Sequence, residues 1–138
     1  MGTYVVEEEL LIPEDVYLRA SLKSLKEETI KFTHKYGEKK GQPGSFDKIL
    51  WFFEIADAEF QGEVARGECD AKVSTHPNNR FRLWVEALMQ GPLSVGDEID
   101  PHDLVGLECM VQVKHRTVDE RIYVDVAEVV SMSEDVPF

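Results

Sequence analysis

The chain reads as a mostly-β protein: a five-stranded Greek-key barrel with one helix between strands 3 and 4. Three observations predict it. Five stretches alternate apolar and polar residues with the two-residue period of a half-buried strand. A single stretch, past the middle, carries apolar residues at helical spacing. The order is three strands, a helix, then two strands. At 138 residues the chain suits one domain, burying roughly two thirds of the surface that its unfolded form exposes.

Residues 1–15 are acidic and close on Pro13-Glu14-Asp15, which predicts a loose arm or a short edge strand. From Tyr17 to Leu25 the alternation turns Leu18, Ala20 and Leu22 inward. From Thr29 to Tyr36 it places Ile30, Phe32, His34 and Tyr36 on one face, so a long, bent first strand is expected. Residues 37–45 hold three glycines and a proline around Lys39 and Lys40, which predicts a mobile basic loop. The second strand, Lys48 to Ala56, turns Ile49, Trp51, Phe53 and Ile55 inward. Its outward set is Lys48, Leu50, Phe52 and Glu54, with Phe52 an exposed ring. The third, Gly62 to Ala71, faces inward with the small residues Ala65, Gly67, Cys69 and Ala71, which suit tight closure of a curved sheet.

Pro77 to Gly91 is the helix: Phe81, Trp84, Val85 and Leu88 keep i, i+3, i+4, i+7 spacing, with Pro near the start and Gly just past the end. Asp100-Pro101-His102-Asp103-Leu104 reads as an N-capped single turn. Leu107, Cys109, Val111 and Val113 then face inward in a fourth strand, and Arg121 to Val130 forms the fifth. The barrel domain is expected at 16–131, with an acidic tip at 132–138. Trp51 and Trp84 belong to the core by phase.

Composition narrows the function. No apolar run approaches the roughly 20 residues that cross a bilayer, and acids at Glu7, Glu8 and Glu9 stand where a secretion signal carries bases, so a cytoplasmic protein is expected. Cys69 and Cys109 lack zinc or disulfide spacing and are expected as buried free thiols; the four histidines are scattered. No metal or other cofactor is predicted. Gly-x-Ser-x-Gly, phosphate-loop and dinucleotide signatures are missing, so a non-enzymatic protein is expected. The acids Asp97, Glu98, Asp100 and Asp103 fit a capped loop better than a calcium loop.

The net charge is −12, which opposes phosphate binding. Its distribution does not. Glu7, Glu8, Glu9, Glu14 and Asp15 precede the first base, Arg19, and Glu134 and Asp135 lie in the tip; setting these seven aside leaves 20 acids against 15 bases. From Arg19 to Lys48 eight bases face four acids, a local charge of +4.

The element order matches the oligonucleotide-binding (OB) barrel. Lys48 to Val130, about three fifths of the chain, also resembles small phage and prophage proteins thought to carry this barrel. The resemblance rests on Trp51-Phe52-Phe53-Glu54-Ile55, on Pro77 through Trp84-Val85-Glu86-Ala87-Leu88 to Gly91, and on Gly96-Asp97-Glu98-Ile99-Asp100 with the stretch through Val113. The end, Glu134-Asp135-Val136-Pro137-Phe138, is similar to the acidic tip with which bacterial single-stranded DNA-binding proteins recruit replication and repair enzymes. Phe138 offers a ring, Pro137 limits conformational loss, and Glu134, Asp135 and the α-carboxylate meet basic residues at a pocket rim.

These resemblances imply a protein of phage DNA replication or recombination that binds single-stranded DNA. Such binders combine a positive groove with rings on which bases stack. The expected contacts are Lys35, Tyr36, Lys39 and Lys40 of the basic loop, Lys48 and Phe52 of the second strand, Arg66 of the third, and Lys114, His115, Arg116, Arg121 and Tyr123 of the last hairpin. The expected partners are single-stranded DNA, replication or repair proteins at the tip, and further copies of the chain. The alternative is an acidic protein-interaction adaptor or DNA mimic on the same scaffold, a reading that the −12 charge favours.

Overall fold

The computed structural model describes residues 2–6 and 11–132. Five strands, β1 (Leu18–Thr33), β2 (Pro43–Ile55), β3 (Val64–Asp70), β4 (Glu108–Val118) and β5 (Arg121–Val130), close into one barrel in the order β1-β2-β3-β5-β4. β3 and β5 run parallel; the other neighbours are antiparallel. The single α-helix among the described residues, α1 (Arg80–Met89), lies between β3 and β4, so the predicted mostly-β, OB-type architecture is the one observed.

β1 bends because it carries a bulge between Leu22 and Ser24. Ala20 and Leu22 point inward before it, and the extra residue resets the phase so that Leu25 faces inward opposite Trp51. The strand stops at Thr33, which leaves His34 and Tyr36 in the connecting loop rather than on its face. β2 starts at Pro43, so the end of the expected loop is strand. Two inward assignments fail at strand ends. Ala71 is exposed, one residue past β3, and Leu107 is exposed, one residue before β4. Alternation continues there in sequence, but each residue lies at the last cross-strand backbone bond, Ala71 to Asp47 and Leu22 to Leu107, where the packed interior has ended.

The interior is built as the periodicity requires. Trp51, Phe53 and Ile55 from β2, Ala65 and Cys69 from β3, and Cys109, Val111 and Val113 from β4 meet Phe81, Trp84, Val85 and Leu88 of α1. Asn79 caps the helix by accepting the Arg82 N–H at 2.8 Å, and Gln90 ends it in the left-handed region. Trp84 stands edge-on to Trp51 and Phe53, with ring centroids at 5.6 and 5.8 Å. Gly67 permits this: a Cβ there would sit 2.4 Å from Trp84 Cη2. Cys69 and Cys109 are buried free thiols. Burial pushes their pKa values up to about 11 and about 12.

The N-terminal arm is tied down where it meets the barrel. Ile12 is 4% exposed and belongs to the core cluster. Residues 11–17 form no strand. Among the described residues, no helix is long and apolar enough to cross a membrane.

Candidate nucleic-acid interface

The strand register collects the outward side chains. Ser24 lies opposite Phe52, Phe52 opposite Arg66, Arg66 beside Asp125, and Asp125 opposite Lys114. One cross-strand row thus runs through all five strands. Neighbouring positions on the same face carry Lys26, Leu50 and Glu68, then Lys48 and Asp70; beyond Asp125 lie Tyr123 opposite Arg116, and Arg121 opposite Val118. Seven expected contacts, Lys48, Phe52, Arg66, Lys114, Arg116, Arg121 and Tyr123, therefore share this outer face. Phe52 is half-buried there rather than freely exposed, and Leu50 beside it is 5% exposed although it faces outward.

Acids interleave with these bases. Lys48 Nζ and Arg66 Nη2 lie 3.2 and 3.3 Å from the same Glu68 oxygen. Arg116 meets Asp125 with both ends of its fork, at 2.6 and 3.4 Å, and its guanidinium lies 5.0 Å from the Tyr123 ring centre. The Asp125 hydrogen bond raises the already high Arg116 pKa, so the charge there is permanent. One side of Tyr123 is thereby occupied by a cation. Glu68 stands 20 positions from Lys48 and Asp125 9 from Arg116, so those two pairings are not visible along the chain, whereas Arg66 and Glu68 are 2 apart on one face of β3.

His115 departs from expectation. It alternates with Lys114 and Arg116, pairs with Val124 on the opposite side of the sheet, and is half-buried. Its Nε2 is 2.6 Å from the Ile12 carbonyl, and its backbone N–H donates to Glu14 Oε1 at 2.6 Å. The ring fastens the N-terminal arm and does not stand on the outer face.

Beyond the barrel, β1 and β2 continue as a two-stranded ribbon. β3 pairs with β2 only as far as Lys48 opposite Asp70, and a last backbone bond joins Ala71 to Asp47. In the ribbon Ile30 lies opposite Phe46, and Phe32 opposite Gly44. Phe32 packs against His34 and Phe46, with centroids at 4.8 and 6.1 Å, and the two phenylalanines remain 40% and 46% exposed. A Cβ at Gly44 would lie 2.7 Å from both Phe32 Cζ and His34 Nε2, so the missing side chain lets the ring cover the strand.

The loop above is closed by His34 N–H to the Gln42 carbonyl at 2.9 Å and carries Lys35, Tyr36, Lys39 and Lys40 at the surface. Tyr36 is 86% exposed. Among the described residues, Lys31, Lys35, Lys39 and Lys40 have no ion pair. The ribbon rings Phe32, His34 and Phe46 are the functional candidates that sequence reasoning missed. Phe46 falls between the glycine-rich turn and the second strand, and only the register across the hairpin places it beside Phe32.

The acidic loop contains caps. Asp97 accepts the Ser94 N–H at 2.7 Å, and Asp100 accepts the His102 N–H at 3.0 Å, which holds the Asp100 carboxyl below its usual pKa. A pocket of about 320 Å³ lies between this loop, Val73–Thr75 and Arg82, off the outer face. The expected tip residues Glu134, Asp135, Val136, Pro137 and Phe138 lie outside the described residues. No protein-family model matches the chain, and no curated protein matches it significantly.

Proposed function

We propose that this protein binds single-stranded DNA without sequence preference, along the β1–β2 ribbon and onto the outer barrel face, in phage DNA replication or recombination. The observation that carries the reading is the exposed pair Phe32 and Phe46, set beneath a loop whose lysines have no ion pair among the described residues. Rings and unneutralised cations in one strip meet the two requirements of a single-strand site: stacking surface and phosphate attraction. Phe52, Arg66 and Lys114 extend the strip onto the barrel, and the terminal Asp135-Val136-Pro137-Phe138 recruits a replication or repair protein.

Fluorescence titration with labelled oligo-dT at low salt tests this. Saturable binding that weakens as salt rises is expected. Phe32→Ala or Phe46→Ala should lower affinity about tenfold, since a stacked base contributes roughly 1–3 kcal/mol. Deletion of residues 133–138 should leave that affinity intact or raise it. No binding at low salt would end the proposal.

One observation favours a second reading, an acidic interaction module or DNA mimic on the same barrel. Glu68 and Asp125 already occupy Lys48, Arg66 and Arg116. On that reading a basic protein partner is retained equally with and without added DNA.

A further inference from the structure

We propose that the open edge of β1 is a self-association surface, which pairs antiparallel with the same edge of a second copy about a two-fold axis at Thr29. Among the described residues nothing pairs with this edge. β4 pairs with β1 only from Leu18 to Ser21, and Leu22 is held by Leu107 and Gly106. From Lys23 to Thr33 the side of β1 away from β2 has no backbone hydrogen bond among the described residues. A long exposed row of unpaired donors and acceptors is a template for another strand.

Backbone direction fixes which residues can take part. His34 donates to Gln42 and accepts from Gly41, so its peptide groups face β2. In a strand these directions alternate. Thr33, Lys31, Thr29 and Glu27 therefore direct N–H and C=O toward the open edge, and in any antiparallel self-pairing these odd-numbered residues oppose one another.

Length and charge then select among the registers: an axis at Leu25 also sets Lys23 opposite Glu27, but it engages only Lys23 to Glu27 of the open edge, whereas an axis at Thr29 engages Leu25 to Thr33. With the axis at Thr29, Glu27 stands opposite Lys31 of the second copy and Lys31 opposite its Glu27, giving two opposite-charge pairs. An axis at Glu27 sets that residue against itself and Lys23 against Lys31. An axis at Glu28 opposes two Glu28 carboxylates. An axis at Ile30 leaves Glu27 and Lys31 facing threonines. Opposite charges directly across a ladder stabilise it, and like charges destabilise it. Glu27, Thr29 and Lys31 are exposed, and neither charged residue has an ion pair within its own chain among the described residues. On the other face the chosen register lays the Lys26 stem across Phe32 of the second copy. The contact is isologous, so it closes at two copies and occupies the open edge of β1 in both.

The test uses the full chain without DNA, so its result is independent of the nucleic-acid reading. Sedimentation velocity at tens of micromolar should show a species of about twice 15.7 kDa. Glu27→Lys and Lys31→Glu should each weaken the dimer about fivefold or more, and the double reversal should restore it. In a hydrogen-bonded antiparallel pair opposed Cα atoms are about 5.5 Å apart, within disulfide range. Thr29→Cys should therefore cross-link on mild oxidation, while Lys31→Cys, which faces Glu27, should lag behind. A monomer at these concentrations, a dimer indifferent to both single reversals, or equal cross-linking at positions 29 and 31 would overturn the proposal.

Discussion

Gly67 shows how one missing side chain sets the barrel's interior. It lies opposite Trp51 on the ladder, and the Trp84 ring occupies the volume that a Cβ would need, with Val126 Cβ 3.2 Å away on another side. Trp84 cannot withdraw, because Trp51 and Phe53 stand edge-on against it. Gly67→Ala should therefore cost about 2–3 kcal/mol, the upper range for overpacking a filled core, measured as a lower urea midpoint with an unchanged slope. Gly44 has a different role: its bare backbone supports the Phe32 ring at the surface. At this scale the glycines were legible as small inward or turn residues, but the rings that need them were not. Each ring lies on another element.

The elements with the most telling geometry are the two long hairpins. β4 and β5 are joined by Asp119-Glu120, both with positive φ, 50° and 66°, the two-residue turn whose twist matches its strands. A side chain in that region is strained by about 1 kcal/mol relative to glycine. Glu120→Gly should accordingly raise stability by about 0.5–1 kcal/mol, read as a higher thermal midpoint. The β1–β2 hairpin instead ends in a longer loop and extends beyond its neighbours, which is why it presents both faces and an edge to solvent. The alternation of Ile30 and Phe32 foretold the face that they share. The ends of the strands were harder to place, because a strand stops where its partner stops: Ala71 and Leu107 keep the phase and one last cross-strand bond each, but the packed interior has ended.

For the molecule as a whole, the deciding quantity is the balance between its cations and its acids. Exposed pairs such as Lys48–Glu68 and Arg66–Glu68 contribute little to stability, yet they set the potential of the face. Glu68→Gln removes one negative charge from beside two bases and leaves the fold unchanged. On the single-strand reading oligo-dT affinity should rise about threefold or more, with a steeper dependence on salt as further phosphates are engaged. Titrations between 50 and 200 mM salt would show it. An unchanged or lower affinity would favour the interaction-module reading.

The sequence by itself determined the strands, the single helix, their order and the residues that fill the barrel, because burial on one side of an element writes a period into the chain. It also marked the lysine-rich loop and the outward positions of β2, β3 and the last hairpin. Only the tertiary structure decided that Glu68 reaches Lys48 and Asp125 reaches Arg116, that Phe46 joins Phe32, and that His115 turns inward to hold Ile12. Those facts depend on register and on bulges at Leu22/Ser24 and Gln112/Val113. A shift of one residue there moves a side chain to the other face, and no local pattern records which strand lies alongside.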